Sequence, residues 1–316
     1  MRADPYLLPE GPVQVAFSGG RTSAKLVRKI LDANGGLPDR AIVTFQNTSR
    51  ELNESLDFVH AVEEWWRVPI VWLEYRPAGP CPLVGEVAEK YAEIFGRARL
   101  EHMQRWWAEN ASRDRFAVVN HRTAARSGEV FEALIFSRKF LPNQNMRFCT
   151  IEMKVRTAKR YLMSLGWTHW TNAVGFRADE PHRLNKPKPK DRWTVWHPMA
   201  SAGVSKMDVS NFWRQQPFDL RLPNIKGKCW LGNCDGCFLK SEASVAAFTR
   251  DFPDRAAWWE GMETLVTWLT NSASAAFWSK RYTRAGMREY MERQGDWALS
   301  TEGALCQKGD GECIAA

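Results

Sequence analysis

Two groups of residues in this chain are equipped for chemistry. The first is Ser18-Gly19-Gly20-Arg21-Thr22-Ser23. It follows the strand-favouring run Val13–Phe17 and opens a helical pattern from Ala24 to Ala33, with Leu26, Val27, Ile30 and Leu31 at helical spacing. The glycines let a ligand come close to the main chain, and Ser18, Thr22 and Ser23 bring hydroxyls. The open N–H groups and dipole of a starting helix favour an anion there. Arg21 adds a guanidinium that suits phosphate oxygens. The second group is Cys229-Trp-Leu-Gly-Asn-Cys234-Asp-Gly-Cys237, three thiols within nine residues. Sulfurs that close can surround one metal ion or cluster, Gly232 and Gly236 let the loop wrap, and a fourth ligand must come from elsewhere. Cys149, about 80 residues upstream, is the candidate. Four thiolates suit tetrahedral zinc or an iron–sulfur cluster, and the spacing does not separate the two. Cys81, between two prolines, reads as a structural thiol. Cys306 and Cys313 sit on a small, polar, tail-like stretch with Lys308 near, where a mobile thiol could reach a site once ionised.

Positioning these groups requires a framework, and the chain alternates accordingly. Ala41–Phe45 and Ile70–Tyr75 read as strands, and Asn53 caps a helix running to Trp66. Strand, helix, strand, helix, strand at this spacing predicts an α/β fold with a doubly wound, mostly parallel sheet. Ligands of such sheets sit beyond the carboxyl ends of the strands, where both 18–23 and 47–50 fall. Residues 76–128, broken by prolines and rich in Trp and charge, read as an excursion from the core, an insertion or lid, with a short strand at 116–120. Helices are expected at 129–139 and 150–165 and a late strand at 170–174. A basic, proline-broken loop follows at 186–192. Beyond about 205 the chain reads as helical, with helices expected at 205–215, 241–250, 254–270 and 280–293. The implied division is a nucleotide-binding α/β domain over 1–204 and a cysteine-loop and helical region over 205–316.

The formal net charge of +8 favours anionic partners such as nucleotides or nucleic acid. Sixteen tryptophans, many paired in helical stretches, read first as core and helix contacts. The opening residues carry charge with no apolar run behind them, and no stretch approaches the roughly 18 apolar residues of a membrane helix. Seven clustered cysteines fit thiolate or metal chemistry in a reducing cytoplasm better than a disulfide framework, and no membrane partner is expected.

Together these residues resemble the PAPS reductase family of PP-loop (adenine nucleotide alpha hydrolase-like) enzymes. Ser18–Ser23 looks like the PP-loop, and Asn47-Thr48 with Glu51, Glu54 and Ser55 looks like the segment that approaches the adenosine. Arg147-Phe-Cys149 through Lys154 resembles the Arg-Cys-Cys-x-x-x-Lys element. Gly175-Phe-Arg177 through Arg183 resembles the element that contacts the anionic end. The resemblance implies an adenine nucleotide (PAPS, APS or ATP) on Ser18, Gly19, Gly20, Arg21, Thr22, Ser23, Asn47, Thr48, Gly175, Arg177 and Arg183. It also implies a 4Fe–4S cluster, rather than zinc, on Cys149, Cys229, Cys234 and Cys237, with Cys229 replacing the position held by Phe148. Sulfonucleotide reduction follows as one expectation: Cys313 attacks the sulfonyl sulfur near Lys154, and a thioredoxin-like reductant regenerates the thiol. The family ends in Glu-Cys-Gly-x-His, however, whereas this chain ends Glu312-Cys313-Ile314-Ala-Ala316. The other enzymatic expectation is an ATP pyrophosphatase-type sulfurtransferase. It would use Mg²⁺, adenylate a nucleic acid or small acceptor, and thiolate it. A non-catalytic nucleotide or nucleic-acid binding module with structural zinc is the third. Self-association is compatible with all of them.

Overall fold

The computed structural model describes residues 4–184, 191–225, 228–229, 231–272, 275–277 and 282–294. Cys306, Cys313 and residues 186–190 of the basic loop lie outside that range.

Strands β1 (Val13–Phe17), β2 (Ala41–Asn47), β3 (Ile70–Tyr75), β4 (Phe116–Val119), β5 (Trp170–Val174) and β6 (Trp193–Trp196) form one sheet in the order β4-β3-β2-β1-β5-β6. All neighbours are parallel except β3 and β4. β1 lies at the centre and every one of its residues is buried, which is why it reads as a continuous apolar run rather than an alternation. Its one polar side chain, Gln14, is satisfied by Thr44 Oγ1 at 2.9 Å. Helices cover both faces, as a doubly wound α/β fold requires.

Helix α1 (Arg21–Asn34) begins three residues before its apolar pattern, so Arg21, Thr22 and Ser23 form its first turn. It ends where Gly35 takes a left-handed conformation and donates to Leu31 O. Helix α2 (Asn53–Trp66) joins β2 to β3. The proline-broken excursion resolves into helices α3 (Gly85–Phe95) and α4 (Arg97–Asn110), and then the antiparallel edge strand β4. Helix α5 (Glu129–Arg138) leads to a segment that differs from the single helix expected over 150–165. Thr150–Arg156 is π-helical, and only then does α6 (Thr157–Ser164) take α geometry. Thr157 Oγ1 donates to Glu152 O, five residues back, at 2.8 Å, spanning the widened turn. Such turns recur at functional sites.

After β6 come α7 (Pro198–Ser201), α8 (Lys206–Trp213) and the antiparallel pair β7 (Asn224–Ile225) and β8 (Lys228–Cys229). Neither β6 nor α7 was readable from the sequence. Helices α9 (Glu242–Asp251), α10 (Pro253–Thr270) and α11 (Arg284–Gln294) complete the described chain. The main apolar core runs from Tyr6 to Phe277, and α10 packs against α3 so closely that Gly261 lies against the Phe95 ring. The tryptophans largely obey the core reading: Trp72, Trp107, Trp258 and Trp259 are buried, although Trp65 is exposed.

Candidate functional site

At the carboxyl edge of the sheet the chain leaves β1 toward β2 and β3, whereas β5 lies on the other side of β1 and continues to β6. The crevice between the ends of β1 and β5 is therefore the topological switch point, the usual ligand position in open α/β sheets. Residues 18–23 line one side of it and residues 175–183 the other.

The loop after β1 is tightly braced. Ser18 N–H donates to Ser23 Oγ at 3.2 Å, the two hydroxyls lie 2.8 Å apart, and Ser23 Oγ donates to Gly20 O at 3.1 Å. Gly19 has a φ of 78°, and a Cβ there would lie 3.0 Å from the Phe45 ring. Gly20 caps α1 through its backbone with no side-chain hydrogen bond, and no acidic residue occupies the first turn. The positive end of the helix thus faces the crevice. Across it, a Cβ on Gly175 would lie 3.3 Å from Ser23 Cα, so this glycine lets the β5 loop dock directly on the 18–23 turn. Arg177, buried to 2% exposure, places Nη1 3.5 Å from Thr22 Oγ1.

Both arginines of the β5 loop are held by carboxylates. Arg177 Nε donates to Asp179 Oδ1 at 2.8 Å, and Arg183 Nη1 donates to the buried Glu180 at 2.6 Å while lying 4.4 Å over the Phe176 ring. Burial alone would raise the Asp179 carboxyl, but the Arg177 hydrogen bond and other donors hold it below its ordinary value. Arg21, by contrast, turns to Asp219: Nε donates to Oδ1 at 2.7 Å and Nη2 pairs with Oδ2. Trp213 Nε1 caps the Arg21 carbonyl at 2.9 Å, fixing α8 beneath the turn.

After β2, Asn47 is buried and internally committed. Its Nδ2 donates to Glu74 Oε1 (2.6 Å) and Ala125 O (2.7 Å), and its Oδ1 accepts from Ser49 N–H (3.0 Å). Thr48 donates to Glu51 at 2.8 Å, and its hydroxyl lies 3.2 Å from Cys234 Sγ. This links the β2 loop to the cysteine loop. Asp235 secures the link from a fully buried position, accepting from Arg50 (2.9 Å), Arg255 (2.5 Å), Trp259 Nε1 (2.8 Å) and Gly236 N–H (2.7 Å). Asp235 N–H donates back to Arg50 O at 2.8 Å. Arg50 also stacks 4.4 Å over Trp258. No sequence signal marked Arg50 and Asp235 as partners, because 185 residues separate them.

The expected metal ligands behave differently. Among the described residues, no three His, Cys, Asp or Glu side chains are gathered closely enough to hold a metal ion, so the four-cysteine cage is not assembled there. Burial pushes the Cys229 thiol up and the Cys234 thiol well up; for Cys234 Glu51 adds to this, while Lys154 works against it. Lys154, on the π-helical turn, therefore lies in the electrostatic surroundings of Cys234. The structure thus unites Ser18–Ser23 with Gly175 and Arg177, and Thr48 with Cys234; Cys313 falls outside the described residues.

No known family profile matches the chain. Over 239 residues it is 28% identical to nin region protein ORF290 of Escherichia phage lambda, covering 75% of this chain and 69% of that protein, which is itself described as uncharacterised. Among solved structures it is similar to phosphoadenylyl-sulfate (PAPS) reductase from Candida auris in its phosphate complex, with 14% identity and a TM-score of 0.33 over 66% of this chain and 73% of that one. The assignment of the fold rests on the sheet order and its crossovers.

Proposed function

We propose that this chain is an adenine-nucleotide enzyme whose phosphates sit on the Ser18–Ser23 turn. The observation that carries the reading is the docking of Gly175 and Arg177 onto Ser23 and Thr22 at the switch point, beside an open helix N-terminus. An oxyanion there meets backbone N–H groups of α1, hydroxyls of Ser18, Thr22 and Ser23, and a buried guanidinium. These are pre-oriented dipoles of the kind that stabilise a leaving phosphate. Arg177 and Arg183 reach the ligand by exchanging bonds with Asp179 and Glu180, which keep them oriented beforehand.

Within that class we infer sulfonucleotide reduction as the first reading, with Lys154 beside the sulfur end and Cys313 as the attacking thiol. A second reading, ATP-dependent thiolation of a nucleic acid or small acceptor, is favoured by the missing Gly-x-His after Cys313. In both, an iron–sulfur cluster is the group the cysteines imply. Among the described residues no three of these side chains meet closely enough to hold a metal ion, and the proposed mechanism takes no step through the cluster. Metal analysis and the visible spectrum of anaerobically purified protein decide its presence: stoichiometric iron with absorbance bleached on reduction assigns the cluster.

The function is tested by two assays on the same preparation: sulfite release from PAPS or APS with thioredoxin, and pyrophosphate release from ATP with Mg²⁺. Gly20→Trp is expected to abolish whichever is found. Nucleotide binding that survives Gly20→Trp overturns the placement of the site.

A further inference from the structure

A second cluster of cations lies on the same edge of the sheet, beyond β3. Glu152, buried on the π-helical turn, is approached by three arginines: Arg138 from the end of α5, Arg156 at 2.5 Å, and Arg160 with Nη2 at 3.7 Å. Arg115 joins them from the turn before β4. Its Nη2 donates to Tyr75 OH at 2.8 Å, and Tyr75 OH in turn bonds Ser137 Oγ at 3.2 Å, beside Arg138. Tyr75 closes β3, and Arg76 N–H bonds Arg115 O, which fixes the cluster at the carboxyl edge.

This arrangement is short of negative charge. Three guanidinium groups converge on one carboxylate, and a fourth, Arg115, lies close enough to act on the Arg160 charge. Burial disfavours the Arg160 cation, and Arg115 and Arg156 disfavour it further, with Glu152 opposing them. Two buried donors, Arg115 Nε and Arg160 Nη1, have no hydrogen-bond partner. Unsatisfied buried donors and crowded like charges each destabilise the unliganded fold, and a tetrahedral oxyanion relieves both because it offers more acceptor positions than a carboxylate. Arg138 and Arg156 are about half exposed, so a ligand can enter from solvent.

We propose that Arg115, Arg138, Arg156 and Arg160 form a second oxyanion site that takes a phosphate group, separate from the Ser18–Ser23 turn. Two sources carry that chemistry, a small phosphate and the backbone of a single-stranded nucleic acid. A backbone bound here would lie along the edge that carries the nucleotide crevice.

The test is calorimetric titration of inorganic phosphate into the wild-type protein, Gly20→Trp and the double variant Arg138→Gln/Arg160→Gln. Circular dichroism confirms that each is folded. Binding is expected in the wild type and in Gly20→Trp, and weakened about tenfold or more in the double variant, the scale of one or two charge-assisted bonds. If the double variant does not fold, Arg156→Gln, on an exposed side chain, replaces it. A short single-stranded oligonucleotide forms the second arm. Binding that falls with salt and is lost in the double variant assigns the site to a nucleic-acid backbone, whereas phosphate binding without it assigns a small phosphate. No phosphate binding to the wild type, or binding lost in Gly20→Trp and kept in the double variant, overturns the proposal. The PP-loop reading stands or falls separately, on the nucleotide assays.

Discussion

Replacing Asp235 by alanine is expected to be among the most damaging single changes outside the apolar core. The carboxylate is fully buried and neutralises Arg50, itself only 3% exposed, while also accepting from Arg255, Trp259 and the backbone of Gly236. Its removal strands a buried guanidinium without its carboxylate partner. Breaking a buried pair from one side costs about 3–5 kcal/mol. Against a whole-protein stability of about 5–15 kcal/mol this is a large share, and it corresponds to a fall in Tm of the order of 10 °C. Urea denaturation followed by tryptophan fluorescence reads the loss directly. The double change Arg50→Met/Asp235→Leu removes both charges, and it is expected to recover part of the loss but not all, because Trp259 Nε1, Gly236 N–H and Arg255 still lack their acceptor. Since the Asp235 backbone is tied to Arg50 O, the single variant should also loosen the contact between Thr48 and Cys234, and thiol labelling of Cys234 should quicken. A loss below about 1 kcal/mol, the level of an exposed ion pair, with unchanged labelling would refute the claim that this carboxylate locks the cysteine loop to the β2 edge.

Asp219→Asn breaks an ion pair of the same chemistry whose members are 23% and 38% exposed, and it should cost less than about 1 kcal/mol by denaturation. Gly175→Val drives a side chain into the Ser23 backbone and should abolish nucleotide binding, measured by calorimetry, with a far smaller change in Tm than Asp235→Ala. His197, stacked 5.3 Å from the Phe176 ring, is held below its ordinary value of 6.5 mainly by burial. Because the unfolded chain binds that proton more readily, the contribution of this group to stability is complete above pH 6.5 and is lost as pH falls from there toward its folded value. His197→Phe should flatten that part of the Tm-versus-pH curve, and an unchanged slope would remove His197 as its source.

The order of strands and helices through β3 was legible because each element carries its own periodicity: β1 is apolar throughout and α2 repeats at helical spacing. What failed locally failed for identifiable reasons. The π-helical turn at Thr150–Arg156 has a composition indistinguishable from the α-helix it precedes, and its widened turn is spanned by a hydrogen bond from Thr157 that no local pattern announces. The edge strand β6 is four residues long and follows a proline-broken basic run, so neither length nor alternation could reveal it. The turn at 18–23 was legible as a site because its glycines, hydroxyls and helix start are contiguous.

The arginines near the crevice show where contiguity stops helping. Arg21, Arg50 and Arg177 are chemically identical, yet Asp219, Asp235 and the pair Asp179–Glu180 give them different duties, and two of those partners lie more than 180 residues away in the chain. Arg50 is buried and bonds Asp235 of the cysteine loop and the Arg255 carbonyl of α10. Arg177 is buried but adjoins Thr22, and under the proposed function it meets an oxyanion by exchanging the bonds with Asp179 and Glu180 that orient it beforehand. Arg21 looked best placed for phosphate, sitting inside the glycine turn itself, but it can serve there only by leaving Asp219. That exchange is measurable: if Arg21 contributes to nucleotide binding, Asp219→Asn, which frees it at little cost in stability, should tighten affinity. Unchanged affinity would leave Arg21 as the bond that pins the start of α1 to the Asp219 loop.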